Sequence, residues 1–160
     1  MNKHTVLQQI IDTLRADLDI AQRAAQTAYE TATHEENIAE NKYDTLGLEA
    51  SYLAAGQARR VDEIRHSLAL YLKLPLQPFN AEKGLQSGDL VELHDDKGNA
   101  RHFFLGPDAA GLKIQHEAVS IIVITPRAPL GRMLLGKLPG DEVEIVVNNQ
   151  RQLLEVVQIL

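Results

Sequence analysis

The chain has 160 residues, 44% of them hydrophobic and 24% charged, with a net charge of −6. The negative balance argues against a broad phosphate-binding surface, and the lack of cysteine excludes a disulfide framework or a thiolate-ligated zinc site. No apolar run approaches the roughly 20 residues that span a bilayer. Met1-Asn2-Lys3-His4-Thr5 opens a polar helical pattern rather than a leader. The expectation is a cytoplasmic protein without membrane contact.

Residues 5–33 contain neither Pro nor Gly and predict one long helix. Leu7, Ile11, Leu14, Leu18, Ala21, Ala25, Ala28 and Ala32 recur at alternating heptad intervals, the seam of a coiled coil. Residues 34–41 weaken the pattern, because Asn37 and Asn41 are poor helix formers and good caps. Residues 42–73 predict a returning helix with the seam Tyr43, Gly47, Ala50, Ala54, Gln57, Val61, Ile64, Leu68 and Tyr71. Small residues lie near the link in both seams, and bulky ones lie far from it. This mirrored gradient predicts an antiparallel hairpin closed on itself, hence a monomer rather than a dimeric coiled coil. About 30 residues at 1.5 Å each make an arm of about 45 Å. The link is acidic: Glu30, Glu35, Glu36, Glu40 and Asp44 face only Lys42, while Arg59, Arg60, Arg65 and Lys73 lie well back.

Leu74-Pro75-Leu76-Gln77-Pro78-Phe79 ends the helix as a stiff linker. The division expected is a coiled coil over 1–74, a linker over 75–79 and a second domain over 80–160. There Val, Ile and turn residues take over. Strands are predicted at Leu90–His94, Arg101–Leu105, Val119–Ile124, Val143–Val147 and Leu153–Ile159. A short helix is predicted at Pro129–Gly136, with Pro in its first turn and Gly closing it. The fold class is α+β: an N-terminal helical hairpin, then an antiparallel sheet of about five strands with one short helix.

Ile124-Thr125-Pro126-Arg127-Ala128-Pro129-Leu130-Gly131-Arg132-Met133-Leu134-Leu135-Gly136-Lys137, followed by Pro139-Gly140-Asp141-Glu142-Val143, resembles the S-P-L-G-x-x-L-L-G-K…G-D-x-V signature of the bacterial Gre transcript-cleavage factors. Glu40-Asn41 resembles the E-N of that family's tip motif. The order of hairpin and β domain is also similar. The resemblance implies an FKBP-like C-terminal domain that docks on RNA polymerase outside its secondary channel, and a coiled coil that enters the channel. It implies tip carboxylates that help hold a Mg2+ ion of the polymerase active centre, close to the 3′ end of the transcript. The polymerase would cleave its own backtracked RNA by two-metal chemistry, and the factor would bring no cofactor of its own.

On this resemblance Glu36 and Glu40 are the candidate cleavage-promoting and Mg2+-sharing residues, with Glu35, Asn37 and Asp44 as lesser ones. Asn37 stands where the family pattern has aspartate. Asn is an uncharged and weaker magnesium ligand, and in a helical link Glu36 would share a face with Glu40 at four-residue spacing. Arg127, Pro129, Leu130, Gly131, Arg132 and Lys137 are the candidate partner-binding residues. Ala128 replaces the signature's serine. Other readings are a non-cleaving, inhibitory channel regulator, an FKBP-like isomerase and an interaction scaffold. The isomerase reading lacks an aromatic-lined pocket, because residues 80–160 offer only Phe103 and Phe104. His34, His94, His102 and His116 read as structural or exposed, since zinc would want more His or Cys at fixed spacing. No nucleophile–base pair or phosphate loop marks an enzyme.

Overall fold

The computed structural model describes residues 1–34 and 45–160. It contains helix α1 (Lys3–Thr33), helix α2 (Thr45–Leu72), strands β1 (Leu90–His94), β2 (Ala100–Leu105), β3 (Lys113–His116) and β4 (Val119–Ile124), helix α3 (Pro129–Leu134), and strands β5 (Glu142–Val147) and β6 (Gln150–Ile159). Two compact units divide the chain. One is Asp12–Ala69, and the other joins Met1–Ile11 to Leu70–Leu160.

The first unit is the helical hairpin. Every described seam position within it is buried or half-buried, from Leu14, Ala21 and Ala28 on α1 to Gly47, Val61 and Ile64 on α2. The helices run antiparallel. Ile20, Ala21 and Ala24 of α1 line one groove together with Gln57, Arg60 and Ile64 of α2. Alanine and glycine at the seam let the axes approach closely, and the surface ion pair Asp19–Arg23 at 2.9 Å adds little to this packing.

The second unit is built on a six-stranded sheet in the order β3-β4-β2-β1-β6-β5. All pairings are antiparallel except β2 with β4, which is parallel. Leu85, Val91, Leu93, Phe103, Leu105, Leu134, Val143, Leu154 and Val156 form the core on one face, with α3 supplying Leu134. On the other face, Leu90 and Phe104 are buried. Tyr71, at the end of α2, packs there with its ring 6.4 Å from that of Phe104. Such a pair contributes about 1 kcal/mol beyond area burial.

The sheet departs from the sequence expectation in three ways. It has a sixth strand, β3, whose four residues Lys113-Ile114-Gln115-His116 carry a single core side chain. The Glu117-Ala118 turn behind it lacks the Asn-Gly signal of a two-residue hairpin, although Glu117 takes φ 55°. Parallel pairing of β2 and β4 is not antiparallel meander logic; β3, which lies between them in the chain, forms a hairpin with β4 on its outer side. Helix α3 also ends at Leu134 rather than at Gly136, which takes φ 78° and leaves the helix. At the β5–β6 turn Asn148 and Asn149 both take positive φ, as a type I′ hairpin requires. In the β1–β2 turn the backbone N–H of Asn99 donates to the Asp95 carboxylate at 2.8 Å and holds it below its usual range.

Tyr71 ties the end of α2 to the sheet domain. Its hydroxyl donates to the Asp108 carbonyl at 2.7 Å, and a side chain at Gly106 would collide with that hydroxyl. Tyr71→Phe is expected to cost about 1 kcal/mol in urea denaturation, the net value of one hydrogen bond. An unchanged midpoint would show that the hydroxyl is not part of the anchor. Burial pushes the Tyr71 hydroxyl well above its ordinary pKa of 10.0. Unfolded tyrosine ionises near that value while the folded one stays protonated. The stability this contact contributes is therefore complete below pH 10 and declines above it.

Candidate functional site

The signature segment forms a rigid turn between β4 and α3. Thr125 is buried, and its carbonyl accepts the Ala128 N–H at 3.1 Å. Pro129 occupies the first turn of α3, where its missing N–H costs nothing and its fixed φ suits the helix. The Arg132 N–H donates to the Ala128 carbonyl at 2.9 Å. A Cβ at Gly131 would lie 2.0 Å from the Thr125 carbonyl oxygen, so only glycine fits there. Beyond the helix, the Gly136 N–H donates to the Leu85 carbonyl at 2.8 Å and the Leu85 N–H donates to the Lys137 carbonyl at 2.9 Å. The turn is thus held at both ends by backbone bonds and from below by the core.

The candidate partner-binding residues divide by this geometry. Gly131 is buried, and Leu130 packs on the core beside Met133; both shape the turn from inside. Pro129, Arg127 and Arg132 are exposed, and Lys137 is half-buried. Arg127 is paired with Asp108 while its side chain stays 71% exposed. A pair this exposed contributes little to stability, so its effect is to orient the guanidinium. Arg132 leans on the Arg127 carbonyl at 3.4 Å, and among the described residues no acid pairs with it. Sequence reasoning missed Asp108 and Leu85. Neither has a local signal, because each meets the turn only through the fold. The result is a small cationic surface, stiffened by proline and core packing, on a chain of net charge −6.

Glu35, Glu36, Asn37, Glu40 and Asp44 lie outside the described residues. At the described end of α1, Glu30 accepts from Gln26 Nε2 at 2.8 Å and His34 is exposed. Among the described residues no group of three or more His, Asp or Glu could hold a metal ion. The fold does bring together two histidines that the sequence left scattered. His94 Nε2 is 2.7 Å from one oxygen of Glu92, and His102 Nε2 is 3.7 Å from the other. His116 Nδ1 instead meets Gln9 Oε1 at 2.8 Å. No helix among the described residues is long and apolar enough to cross a membrane.

A helical hairpin followed by a sheet domain that carries a fixed cationic turn places the chain in the α+β class. Comparison with known proteins specifies which kind. The chain is similar to transcription elongation factor GreA of Desulfovibrio desulfuricans, with 30% identity over 135 residues, covering 82% of this chain and 76% of that protein. The chain belongs to the GreA family of transcription elongation factors. No protein-family model matches it. Solved structures similar to it include the GreA factor homolog Gfh1 of Thermus thermophilus, at 21% identity and a TM-score of 0.38, covering 94% of each chain. Gfh1 of Thermus aquaticus is similar at 23% identity and a TM-score of 0.39, covering 98% of this chain and 92% of that one. The elongation factor GreA/GreB of Nitrosomonas europaea is similar at 16% identity and a TM-score of 0.38, covering 60% and 78%.

Proposed function

We propose that this chain is an accessory factor of RNA polymerase that inserts its hairpin link into the secondary channel and modulates cleavage of backtracked transcripts. Family membership and the order of hairpin and β domain support this reading. The observation that carries it furthest is the cationic turn at Arg127, Pro129 and Arg132, which matches the family signature in sequence and is rigid, exposed and charged in the fold. Such a surface suits an acidic protein partner better than a broad nucleic-acid footprint.

At the link, Glu36 and Glu40 supply hard carboxylate oxygens of the kind Mg2+ prefers. Two carboxylates are too few to hold the ion alone, so they would share one with the polymerase active centre. The ion supplies charge neutralisation and water activation for phosphodiester hydrolysis. The factor's own residues orient and complete the site, and the cleavage remains the polymerase's. Loss of the aspartate at Asn37 makes a channel occupant that inhibits rather than stimulates the second reading.

A backtracked elongation complex with cognate polymerase separates the two. Glu36→Ala and Glu40→Ala are each expected to lower factor-dependent cleavage by at least tenfold while leaving binding unchanged. Arg132→Glu is expected to abolish binding with the fold intact. Binding without any cleavage by the parent chain would establish the inhibitory reading. Retained affinity of Arg132→Glu would remove the proline turn from docking.

A further inference from the structure

We infer that the open edge of β5, with the exposed face it shares with β6, is a docking surface for an extended basic segment of a partner protein. Among the described residues β5 is the last strand of the sheet. The Val156 N–H donates to the Asp141 carbonyl at 2.8 Å, which places the hydrogen-bonded pairs with β6 at alternate positions from there. The N–H and C=O groups of Glu142, Glu144 and Val146 therefore point away from β6, to the open side. Proteins protect such an edge with charged side chains, Pro, a bulge or a covering element; here the charges are Glu142 and Glu144, which deter a like-charged strand and admit a basic one. Glu142-Val143-Glu144-Ile145-Val146-Val147 has no Lys or Pro, and its register with β6 is unbroken from Glu142↔Glu155 to Val147↔Gln150.

The side chains on this face give the edge a sign. Glu142 stands directly opposite Glu155, Glu144 opposite Leu153, and Val146 opposite Arg151. Like charges facing each other across strands are destabilising, so the Glu142–Glu155 pair is a standing cost to the fold. Arg151 is the one cation in these three pairs, 3.5 Å from Glu144, with its side chain 83% exposed. Beside the three carboxylates, Val146 is 69% exposed, Leu153 52% and Val157 39%. Leu153 and Val157 alternate with buried Leu154 and Val156 along β6, and Val146 stands opposite Arg151, so they share the face with the acids.

An edge of this kind takes an added strand through main-chain bonds, and alternate side chains set specificity. A strand antiparallel to β5 would place an apolar residue against Val146 and cations against Glu144 and Glu142. A second copy of this chain is a poor occupant, because it would bring its own glutamates to the same edge. The charge is opposite to that of the Arg127–Arg132 turn, so the two surfaces select different chemistry.

The test is a titration of the full chain, followed by amide NMR at low salt, with the peptide acetyl-Leu-Thr-Lys-Thr-Lys-Thr-amide. Saturable shifts confined to residues 142–147 and 151–157 are expected. Glu142→Lys combined with Glu144→Lys should weaken binding at least tenfold, and a Glu-for-Lys peptide should give no shift. Glu142→Lys removes the Glu142–Glu155 repulsion while Glu144→Lys gives up the contact with Arg151, so the Tm of the double variant should stay near that of the parent. Val146→Lys, at an exposed position, is a second variant with the same expected loss. Absent shifts, shifts elsewhere, or binding indifferent to these substitutions would overturn the proposal. So would concentration-dependent self-association in sedimentation that the double variant abolishes, since a second copy would then occupy the edge.

Discussion

Asp89→Ala is expected to lower stability by about 3 kcal/mol, the usual result of breaking a buried ion pair from one side. Lys3 Nζ lies 2.9 Å from Asp89 Oδ1, and both side chains are at most a tenth exposed. The same ammonium donates to the Gln77 carbonyl. The second carboxylate oxygen accepts the Gln86 N–H at 2.8 Å. Removing the carboxylate leaves a buried ammonium with one neutral partner. For a chain of this size the loss corresponds to a Tm lower by roughly 6–12 °C. Lys3→Met should cost a similar amount for the converse reason. Combining Lys3→Met with Asp89→Leu should recover most of the loss, because well-packed apolar substitutes for a buried pair are often neutral. Thermal denaturation of the three variants decides. If the single variants each cost under about 0.5 kcal/mol, the range of an ordinary surface change, the pair does not anchor the start of α1.

Gly131→Ala is the second large effect. The added methyl would sit 2.0 Å from the Thr125 carbonyl oxygen and 2.7 Å from its carbon. Both are backbone atoms, held by Thr125 burial and by the Ala128 N–H bond, so no side chain can swing aside. Overpacking of this kind costs about 1–3 kcal/mol, and here the strain falls on the cationic turn. Hydrogen exchange should accelerate at residues 125–137 ahead of the sheet. Under the proposed docking role, affinity for RNA polymerase should fall with it, because Arg127 and Arg132 lose their fixed geometry. Unchanged exchange across that segment would show that the turn relaxes without strain.

The hairpin was legible in the sequence because a heptad seam is a local, repeated signal. Each described seam position, from Leu7 to Tyr71, is buried or half-buried. Val6 and Ile10 are fully buried as well but stand off that seam; they fall within the sheet unit, whose packing follows different neighbours. The signature turn was legible for a different reason. Its Pro, Gly and Arg residues occur at a spacing that few other sequences share, and Gly131 reports a close approach that only glycine allows. The leucines of that segment were less informative, since Leu130 could equally face a partner or the core, and it packs on the core.

By itself the sequence determined the helical hairpin, the acidic link, the turn positions and the family signature, because periodicity, backbone preference and motif spacing act over a few residues. Tertiary structure alone decided the rest. It paired β2 with β4 in parallel, set Asp108 under Arg127, buried Lys3 against Asp89, gathered His94 and His102 around Glu92, and left β5 with an open acidic edge. Apart from the His94–Glu92 contact within β1 and the β5 edge, these join residues distant in the chain or on different strands. Such contacts form where strand register and packing bring side chains together, and neither is written in any local stretch of sequence.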